Sequence, residues 1–197
     1  MIVATNNKGK ISEIKEIFSN YDIYSLKDLN ANIEVEENAT TFYGNALKKA
    51  MTIYDIFKEP TLADDSGICI SELDNFPSVL THRFLGNDAT DTMRNEALIK
   101  KADQTLTRTA QVVCVIVYYD GENILVGEGK INGKIAKERR GTNGFGFDEI
   151  FETESKKTLA EMTPEEKNKI SARKLALEDL KAKLNALETD RSRQKSK

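Results

Sequence analysis

The chain has 197 residues, of which 39% are hydrophobic and 31% are charged, and its formal net charge is −3. This composition predicts a soluble globular protein and excludes an intrinsically disordered chain and a membrane-spanning protein. A negative net charge also argues against the concentrated positive field that sequence-independent binding to nucleic acids requires. We therefore expect neither a nucleic acid nor a membrane among its partners.

The rarest residue types limit the chemistry further. His82 is the only histidine, so it would have to serve any Ser-His or Cys-His mechanism. Cys69 and Cys114 lie in apolar stretches, which favours buried thiols over a disulfide or a metal site. Carboxylates and lysines are therefore expected to carry the chemistry. The N-terminus lacks the pattern of a signal peptide, which predicts a cytoplasmic protein.

The first third of the chain alternates predicted strands and helices. A strand at 2–4 is followed by a helix, and a second strand is predicted at 21–26. An acidic loop at 30–38 leads into an amphipathic helix between Phe42 and Phe57, and the next strand starts at Thr61. This alternation predicts an α/β fold with a parallel or mixed sheet.

Two adjacent carboxylates, Asp64 and Asp65, interrupt the apolar start of this third strand. We interpret them as acids at the end of a buried strand, where Gly67 lets the backbone turn sharply. Because successive side chains of a strand point to opposite faces, the two acids should have different roles. Such oxygen ligands suit magnesium, which proteins usually hold with one or two carboxylates plus substrate phosphates. Taken alone, the segment is better explained as a solvated turn, but its context in the chain reverses that preference.

The second half of the chain begins with a long apolar run. Residues 112–119 are rich in β-branched side chains and predict a central strand, and the Asp-Gly pair at 120–121 predicts a hairpin into a further strand. Thr163 and Glu166 form a predicted capping box at the start of a C-terminal helix. The alternative to one continuous helix is that a separate second helix starts at Ser171.

The length of the chain predicts a single domain. We assign this domain to residues 1–187, because apolar residues at helical spacing end at Leu187. Residues 188–197 are polar and predict a frayed tail.

The segment between the first strand and the first helix has the features of an anion-binding turn. Backbone N–H groups and the positive end of a helix attract anions, and Lys8 and Lys10 add positive charge. Its glycine spacing differs from that of a Walker loop. An ordinary surface turn explains this segment equally well.

Glycines alternate with aromatic residues between Gly141 and Asp148. Such a backbone can approach a flat ligand closely while Phe145 stacks on it, and stacking on a nucleobase contributes roughly 1–3 kcal/mol. The alternative is that Phe145 and Phe147 only fill the core.

Further along the chain, Lys167 and Ser171 lie one helical turn apart, with Arg173 nearby. These donors could recognise the carbonyl oxygens of a base. Solvated side chains on a C-terminal helix are the alternative.

Taken in order, these motifs resemble the inosine triphosphate pyrophosphatase family, which hydrolyses non-standard purine nucleoside triphosphates. The resemblance spans nearly the whole chain. Its matching segments are Thr5–Lys10, Glu36–Phe42, Asn45–Ala46, Ala63–Gly67, Arg83–Phe84, Gly144–Asp148 and Glu166–Asn168, with Ser171 and Arg173. The resemblance implies an elongated α/β fold, with a mixed sheet, flanking helices and two lobes around a central cleft. It also implies a homodimer.

The same resemblance implies roles for individual residues. Magnesium is expected at Glu37 and Asp65, with Asp64 close by, and Asp65 is expected to be the base that activates water. The residues expected to bind the triphosphate are Thr5, Asn7, Lys8, Gly9, Lys10 and Ser66. The residues expected to bind the nucleoside are Phe145, Gly146, Phe147, Asp148, Lys167, Ser171, Ala172 and Arg173.

The sequence departs from the family pattern in three places. Ala172 stands where relatives commonly have a base-reading histidine, which bears on the selectivity for purines. Tyr43 and Gly44 replace acids that usually precede the Asn-Ala pair, and Asn6 replaces a glycine that is common in the first loop.

The predicted function is magnesium-dependent hydrolysis of ITP, dITP and XTP to the monophosphate and pyrophosphate. This activity would keep deaminated purines out of DNA and RNA. One alternative is a related nucleotide pyrophosphatase that acts on modified pyrimidines or on a broad range of triphosphates. Another is a nucleotide-binding module without catalysis.

Overall fold

The computed structural model describes residues 1–195 and divides into two compact units. Unit 1 comprises Met1–Asp65, Cys114–Gly129 and the chain from Arg173 onward. Unit 2 comprises Ser66–Val113 and Lys130–Ala172. Each unit is therefore built from segments that are distant in sequence.

The sheet contains both parallel and antiparallel strand pairs. Its strands are β1 (Ile2–Val3), β2 (Tyr24–Ser25), β3 (Thr61–Ile70), β4 (Phe76–Pro77), β5 (Thr109–Tyr119), β6 (Ile124–Ile135) and β7 (Phe151–Glu152). The strand order is β2-β1-β3-β5-β6-β7, with β4 paired to β3. β1 runs parallel to β2 and β3, whereas β4 is antiparallel to β3 and β7 is antiparallel to β6. The predicted mixed sheet is therefore confirmed.

Five α-helices accompany the sheet in the described part of the chain. They are α1 (Lys8–Ile17), α2 (Phe42–Phe57), α3 (Asp91–Ala102), α4 (Pro164–Ile170) and α5 (Ala172–Lys195). The predicted α/β class and the capping box at the start of α4 are confirmed. The sequence did not predict α3, because only Asn95, Leu98 and Ala102 of this helix are buried and its apolar stripe is correspondingly weak.

The predicted end of β3 at the acidic pair is wrong. β3 continues through Asp64, Asp65 and Gly67 to Ile70, and all ten of its residues are buried. β3 lies between β1 and β5 in the strand order, and β1 pairs with it at Thr61 and Leu62. The two acids therefore lie inside a strand, where side chains instead of water must compensate their charge.

Small residues bring α2 close to the sheet in unit 1. Ala46 and Ala50 pack in one buried cluster with Ala63 of β3 and Val117 of β5. Because alanine side chains are short, the backbones of helix and strand can approach each other closely. This packing places the polar residues of the same helix face beside the acidic pair.

Helical structure extends further towards the C-terminus than predicted. α5 continues through the predicted tail to Lys195. The hydroxyl of Tyr21 donates a hydrogen bond to Glu188 at 2.9 Å, and Arg191 pairs with Asp120 at 2.8 Å. These contacts give the polar segment partners that its own sequence does not reveal. The last two positions of the predicted tail, 196 and 197, lie outside the described residues.

No helix within residues 1–195 is both long enough and apolar enough to cross a membrane.

Helix α5 packs directly on β6 at Gly127. A Cβ atom at this position would lie 2.1 Å from the carbonyl oxygen of Ala176 and 2.7 Å from the Cβ of Leu180. The close approach requires the absence of a side chain at position 127. It holds α5, which contains Arg173, against β6.

We predict that Gly127→Ala lowers the free energy of unfolding by about 1–3 kcal/mol, because the added methyl group forces α5 away from the strand. Glu128→Ala, at the exposed neighbouring position of the same strand, should change it by less than about 0.5 kcal/mol. Equilibrium denaturation with urea measures both values. Equal unfolding free energies for Gly127→Ala and the unmodified protein would contradict the close packing of α5 on β6.

Candidate active site

Asp64 lies at the centre of a buried cluster of charges in unit 1. Its Oδ2 atom is 2.8 Å from the Nζ atom of Lys10 and 3.5 Å from a guanidinium nitrogen of Arg173. Its side chain is only 3% exposed. Burial alone would raise the pKa of Asp64, but Lys10, Arg173 and Lys49 hold it well below its usual range. Asp64 is therefore a permanent carboxylate that holds two cations in place.

Asp65 has the opposite electrostatic environment. Its Oδ2 accepts a hydrogen bond of 2.8 Å from the side-chain amide of Asn45 in α2. Burial raises the pKa of Asp65 to about 6, and the neighbouring carboxylates of Glu37 and Asp64 add to this effect. Lys49 and the Asn45 bond oppose it without cancelling it. A carboxyl group with this pKa can accept a proton near neutral pH, as a general base must.

Lys49 connects the acidic residues of unit 1. Its ammonium group donates hydrogen bonds to Glu37 and to the backbone carbonyl of Asp64. Burial lowers the pKa of Lys49, but the charges of Asp64, Glu37 and Asp65 outweigh burial and raise it. Lys49 is therefore a cation held among three carboxyl groups.

Sequence reasoning missed both Asn45 and Lys49 as site residues. They lie four residues apart and hence on one face of α2, beside the buried Ala46 and Ala50. Asn45 is fully buried. A buried polar position on an otherwise apolar helix face was the available signal, since such a residue requires a hydrogen-bonding partner.

The predicted anion-binding turn forms the N-terminal end of α1. The side-chain oxygen of Asn7 accepts hydrogen bonds from Gly9 N at 2.9 Å and Lys10 N at 3.2 Å, and Asn7 N donates to Thr5 Oγ1 at 3.2 Å. The side chain of Asn7 thus caps the helix. Lys8 and Gly9 are exposed, whereas Lys10 points to Asp64.

The guanidinium group of Arg173 pairs with Glu13 at 3.2 Å as well as with Asp64. The pKa of Arg173 is raised: burial lowers it, but the charge of Asp64 outweighs burial. The polar contacts described for Arg173 are thus with acids of unit 1, and its expected role in reading a base stays a prediction.

A second cluster lies in unit 2 on the loop that contains Gly144–Asp148. Asp148 Oδ2 accepts hydrogen bonds from Phe145 N at 2.8 Å and from Lys167 Nζ at 2.7 Å. The Nζ atom of Lys167 also lies 4.7 Å from the centre of the Phe145 ring. Phe145 is 38% exposed, whereas Phe147 is half-buried. The exposed ring is thus held beside a buried ion pair.

The remaining predicted nucleoside and phosphate residues of unit 2 are mostly buried. Ser66 lies in β3, Ser171 ends α4, and Ala172 begins α5 with a 3% exposed side chain. Gly146 bonds to α3 through both of its backbone groups.

The site residues predicted from the sequence are thus divided between the two units. Unit 1 contains Thr5, Asn7, Lys8, Gly9, Lys10, Glu37, Asp64, Asp65 and Arg173. Unit 2 contains Ser66, Phe145, Gly146, Phe147, Asp148, Lys167, Ser171 and Ala172.

Within residues 1–195, no group of three or more His, Cys, Asp or Glu side chains forms a potential metal cage. The carboxylates nevertheless suit a hard cation that needs few protein ligands, because Glu37 and Asp65 both supply oxygen donors and both lie close enough to interact with Lys49.

Comparison with known proteins gives consistent matches over most of the chain. The sequence model of the Ham1 family matches residues 1–183. The chain is 44% identical to a dITP/XTP pyrophosphatase of Aquifex aeolicus over 190 residues, which covers 91% of this chain and 94% of the relative. It is 38% identical to a dITP/XTP pyrophosphatase of Clostridium tetani, covering 97% of this chain and 98% of the relative.

A solved structure shares the fold. The HAM1 protein from Coxiella burnetii superimposes with a TM-score of 0.86 at 35% identity, covering 94% of this chain and 98% of the other. These matches confirm the resemblance seen in the sequence motifs. The chain belongs to the Ham1 family.

Proposed function

We propose that this protein hydrolyses non-standard purine nucleoside triphosphates, such as ITP, dITP and XTP, to the monophosphate and pyrophosphate. The observation that carries the proposal is the pair of adjacent buried carboxyl groups whose pKa values are shifted in opposite directions. Such a pair separates a permanent charge from a group that can accept a proton. The naming of close relatives as dITP/XTP pyrophosphatases supports the same activity.

In the mechanism that we propose for this hydrolysis, Asp65 acts as the general base. It takes a proton from a water molecule whose oxygen attacks the α-phosphorus. The bond between the α-phosphorus and the α,β-bridging oxygen breaks, and pyrophosphate leaves with the electron pair of that bond. The pKa of about 6 suits this role, because the carboxylate is ionised at neutral pH and still basic enough to accept the proton.

Lys10 and Lys49 supply positive charge for the phosphates. Asp64 holds the Lys10 ammonium group, and Glu37 holds the Lys49 ammonium group, so both cations are oriented before substrate arrives. Fixed charges of this kind stabilise developing negative charge without reorganisation during the reaction.

We infer that Glu37 and Asp65 hold a magnesium ion together with the substrate phosphates. When bound, magnesium neutralises the negative charge of the triphosphate and of the departing pyrophosphate. One or two carboxylates are the usual protein contribution to such a site. Lys49, next to both acids, would limit their mutual repulsion before the ion arrives.

We infer that Phe145 stacks on the base and that Lys167 donates a hydrogen bond to its 6-keto oxygen. Support comes from the exposed ring and from the ion pair that holds Lys167 beside it. Biologically, the activity would keep deaminated purines out of DNA and RNA.

We also infer a homodimer that acts in the cytoplasm on free nucleotides, without a nucleic acid or membrane partner. The negative net charge argues against sequence-independent binding to nucleic acids. Light scattering of the purified protein tests the dimer.

Asp65→Asn should reduce turnover of ITP by at least about 10²-fold, because the amide neither accepts the proton nor carries the charge expected at the metal. Release of pyrophosphate at saturating magnesium measures this effect. Asp55→Asn, an exposed position on α2, is the matched control and should retain full activity. More than about a tenth of the original activity in Asp65→Asn would contradict the assigned role.

The same variant should be more stable than the unmodified protein at pH 7, by up to about 3 kcal/mol. Since the pKa of Asp65 is raised by folding to about 6, the folded state binds its proton more tightly, and this residue's contribution to stability falls as the pH rises from about 4 to about 6. The stability difference between the two proteins should therefore shrink at pH 4. Urea denaturation at both pH values measures it, and a constant difference would contradict the raised pKa.

Lys10→Ala should raise the KM for triphosphates by about 10-fold or more, with little change in the preference between bases, because phosphate is common to every substrate. Lys15→Ala, an exposed lysine of the same helix, is the control. A changed ratio of ITP to ATP hydrolysis with unchanged KM values would remove Lys10 from the phosphate site.

The catalytic efficiency for ITP should exceed that for ATP by at least roughly 10²-fold. Lys167 can only donate hydrogen bonds, so it pairs with a 6-keto oxygen but not with the 6-amino group of adenine. Ala172→His should increase the ratio by restoring a donor that is common in relatives, whereas Leu175→His, at an exposed position, should not change it. Equal efficiencies for ITP and ATP in the unmodified protein would instead favour a pyrophosphatase of broad specificity.

A further inference from the structure

Gly146, between the two phenylalanines of the loop in unit 2, is held by helix α3. Gly146 N donates a hydrogen bond to Asp91 Oδ2 at 3.2 Å, and Asn95 Nδ2 donates to Gly146 O at 2.9 Å. Gly146 has a φ of +63°, which is unfavourable for residues with a side chain. Both backbone groups of this unusual conformation are therefore bonded to one helix.

Asp91 and Asn95 lie four positions apart in the sequence, so they lie on one face of α3. Asp91 is the first residue of the helix and is exposed, whereas Asn95 is 2% exposed. A buried amide is unfavourable unless it is hydrogen-bonded, and Asn95 meets this requirement on the loop through Gly146 O and through the carboxylate of Glu149. These two polar contacts of its side chain are thus directed at the loop.

The two bonds fix the peptide groups on either side of Gly146. The N–H belongs to the peptide that follows Phe145, and the C=O belongs to the peptide that precedes Phe147. On its other side, Phe145 donates its own N–H to Asp148. The backbone of Phe145 is thus restrained at both ends, although 38% of the residue is exposed.

We propose that Asp91 and Asn95 are positioning residues, which hold the Phe145 ring in the orientation that stacks on the purine base. This inference rests on the proposed function, because it assigns the ring to base binding. Neither residue touches the substrate in this proposal. They act through the backbone of Gly146, by removing the conformational freedom that a glycine-rich loop would otherwise lose when the base binds.

Asp91→Ala and Asn95→Ala should each raise the KM for ITP about tenfold while kcat changes less than about twofold, because the lost interaction serves binding of the base and not the chemical step. Calorimetric titration should show an equal weakening for inosine monophosphate and no change for pyrophosphate. Asp91→Asn keeps an acceptor for Gly146 N and should restore most of the affinity. Met93→Ala, an exposed residue of the same helix, should behave like the unmodified protein.

A double-mutant cycle with Phe145→Ala tests whether the two residues act through the ring. Once the ring is absent, Asp91→Ala and Asn95→Ala should cause little further loss, so the effects should be strongly non-additive. Additive losses would overturn the proposal, as would a lower kcat with unchanged KM. Asp91 is exposed, so its variant remains informative even if Asn95→Ala does not fold.

A wrong proposed function and a wrong role of α3 would give different experimental results. If the unmodified protein releases no pyrophosphate from any triphosphate, the proposed function is wrong, and binding of inosine monophosphate alone decides the role of α3. If the unmodified protein hydrolyses ITP and binds inosine monophosphate, but the Asp91 and Asn95 variants match it, only the role of α3 is wrong. Failure of the unmodified protein to bind inosine monophosphate would overturn the role of α3 directly.

Discussion

The burial of two adjacent carboxyl groups in the middle of β3 is the constraint on which the catalytic cluster depends. A carboxylate removed from water is strongly unfavourable unless charges and hydrogen bonds compensate it. For Asp64, the compensation comes from Lys10 of α1 and Arg173 of α5, and for Asp65 it comes mainly from Lys49 and Asn45 of α2. Three helices are therefore tied to one strand by charge as well as by apolar packing.

Unequal compensation gives the two acids different chemistry. Asp64 interacts with Lys10, Arg173 and Lys49 and stays ionised. Asp65 keeps a raised pKa because Lys49 and the hydrogen bond from the Asn45 amide do not outweigh its burial. A general base needs this incomplete compensation, since a fully paired carboxylate would be too weak to accept a proton. The local cost in stability at Asp65 is thus coupled to the proposed activity.

The constraint on the loop in unit 2 is the conformational freedom of its backbone. Glycines give its backbone the conformations that an exposed aromatic ring requires, but the same glycines would leave the ring free to reorient. Asp148 within the loop and Asp91 of α3 accept hydrogen bonds from the loop backbone, and Asn95 of α3 donates one to it, which removes that freedom. Ordering the loop before the ligand arrives reduces the entropy lost on binding.

The sequence alone determined the α/β class, the mixed sheet and the family, because the hydrophobic periodicity of β1, α2 and β5 and the order of the short motifs are local properties. Alternation along a strand also predicted different roles for Asp64 and Asp65. Only the tertiary structure decided that β3 continues through the acids and that α3 exists and supports the loop. It alone paired Lys49 with Glu37 and extended α5 to Lys195. These features depend on contacts between residues far apart in the chain. Whether a charge can be buried, or a weakly amphipathic helix can form, depends on partners that no local pattern identifies.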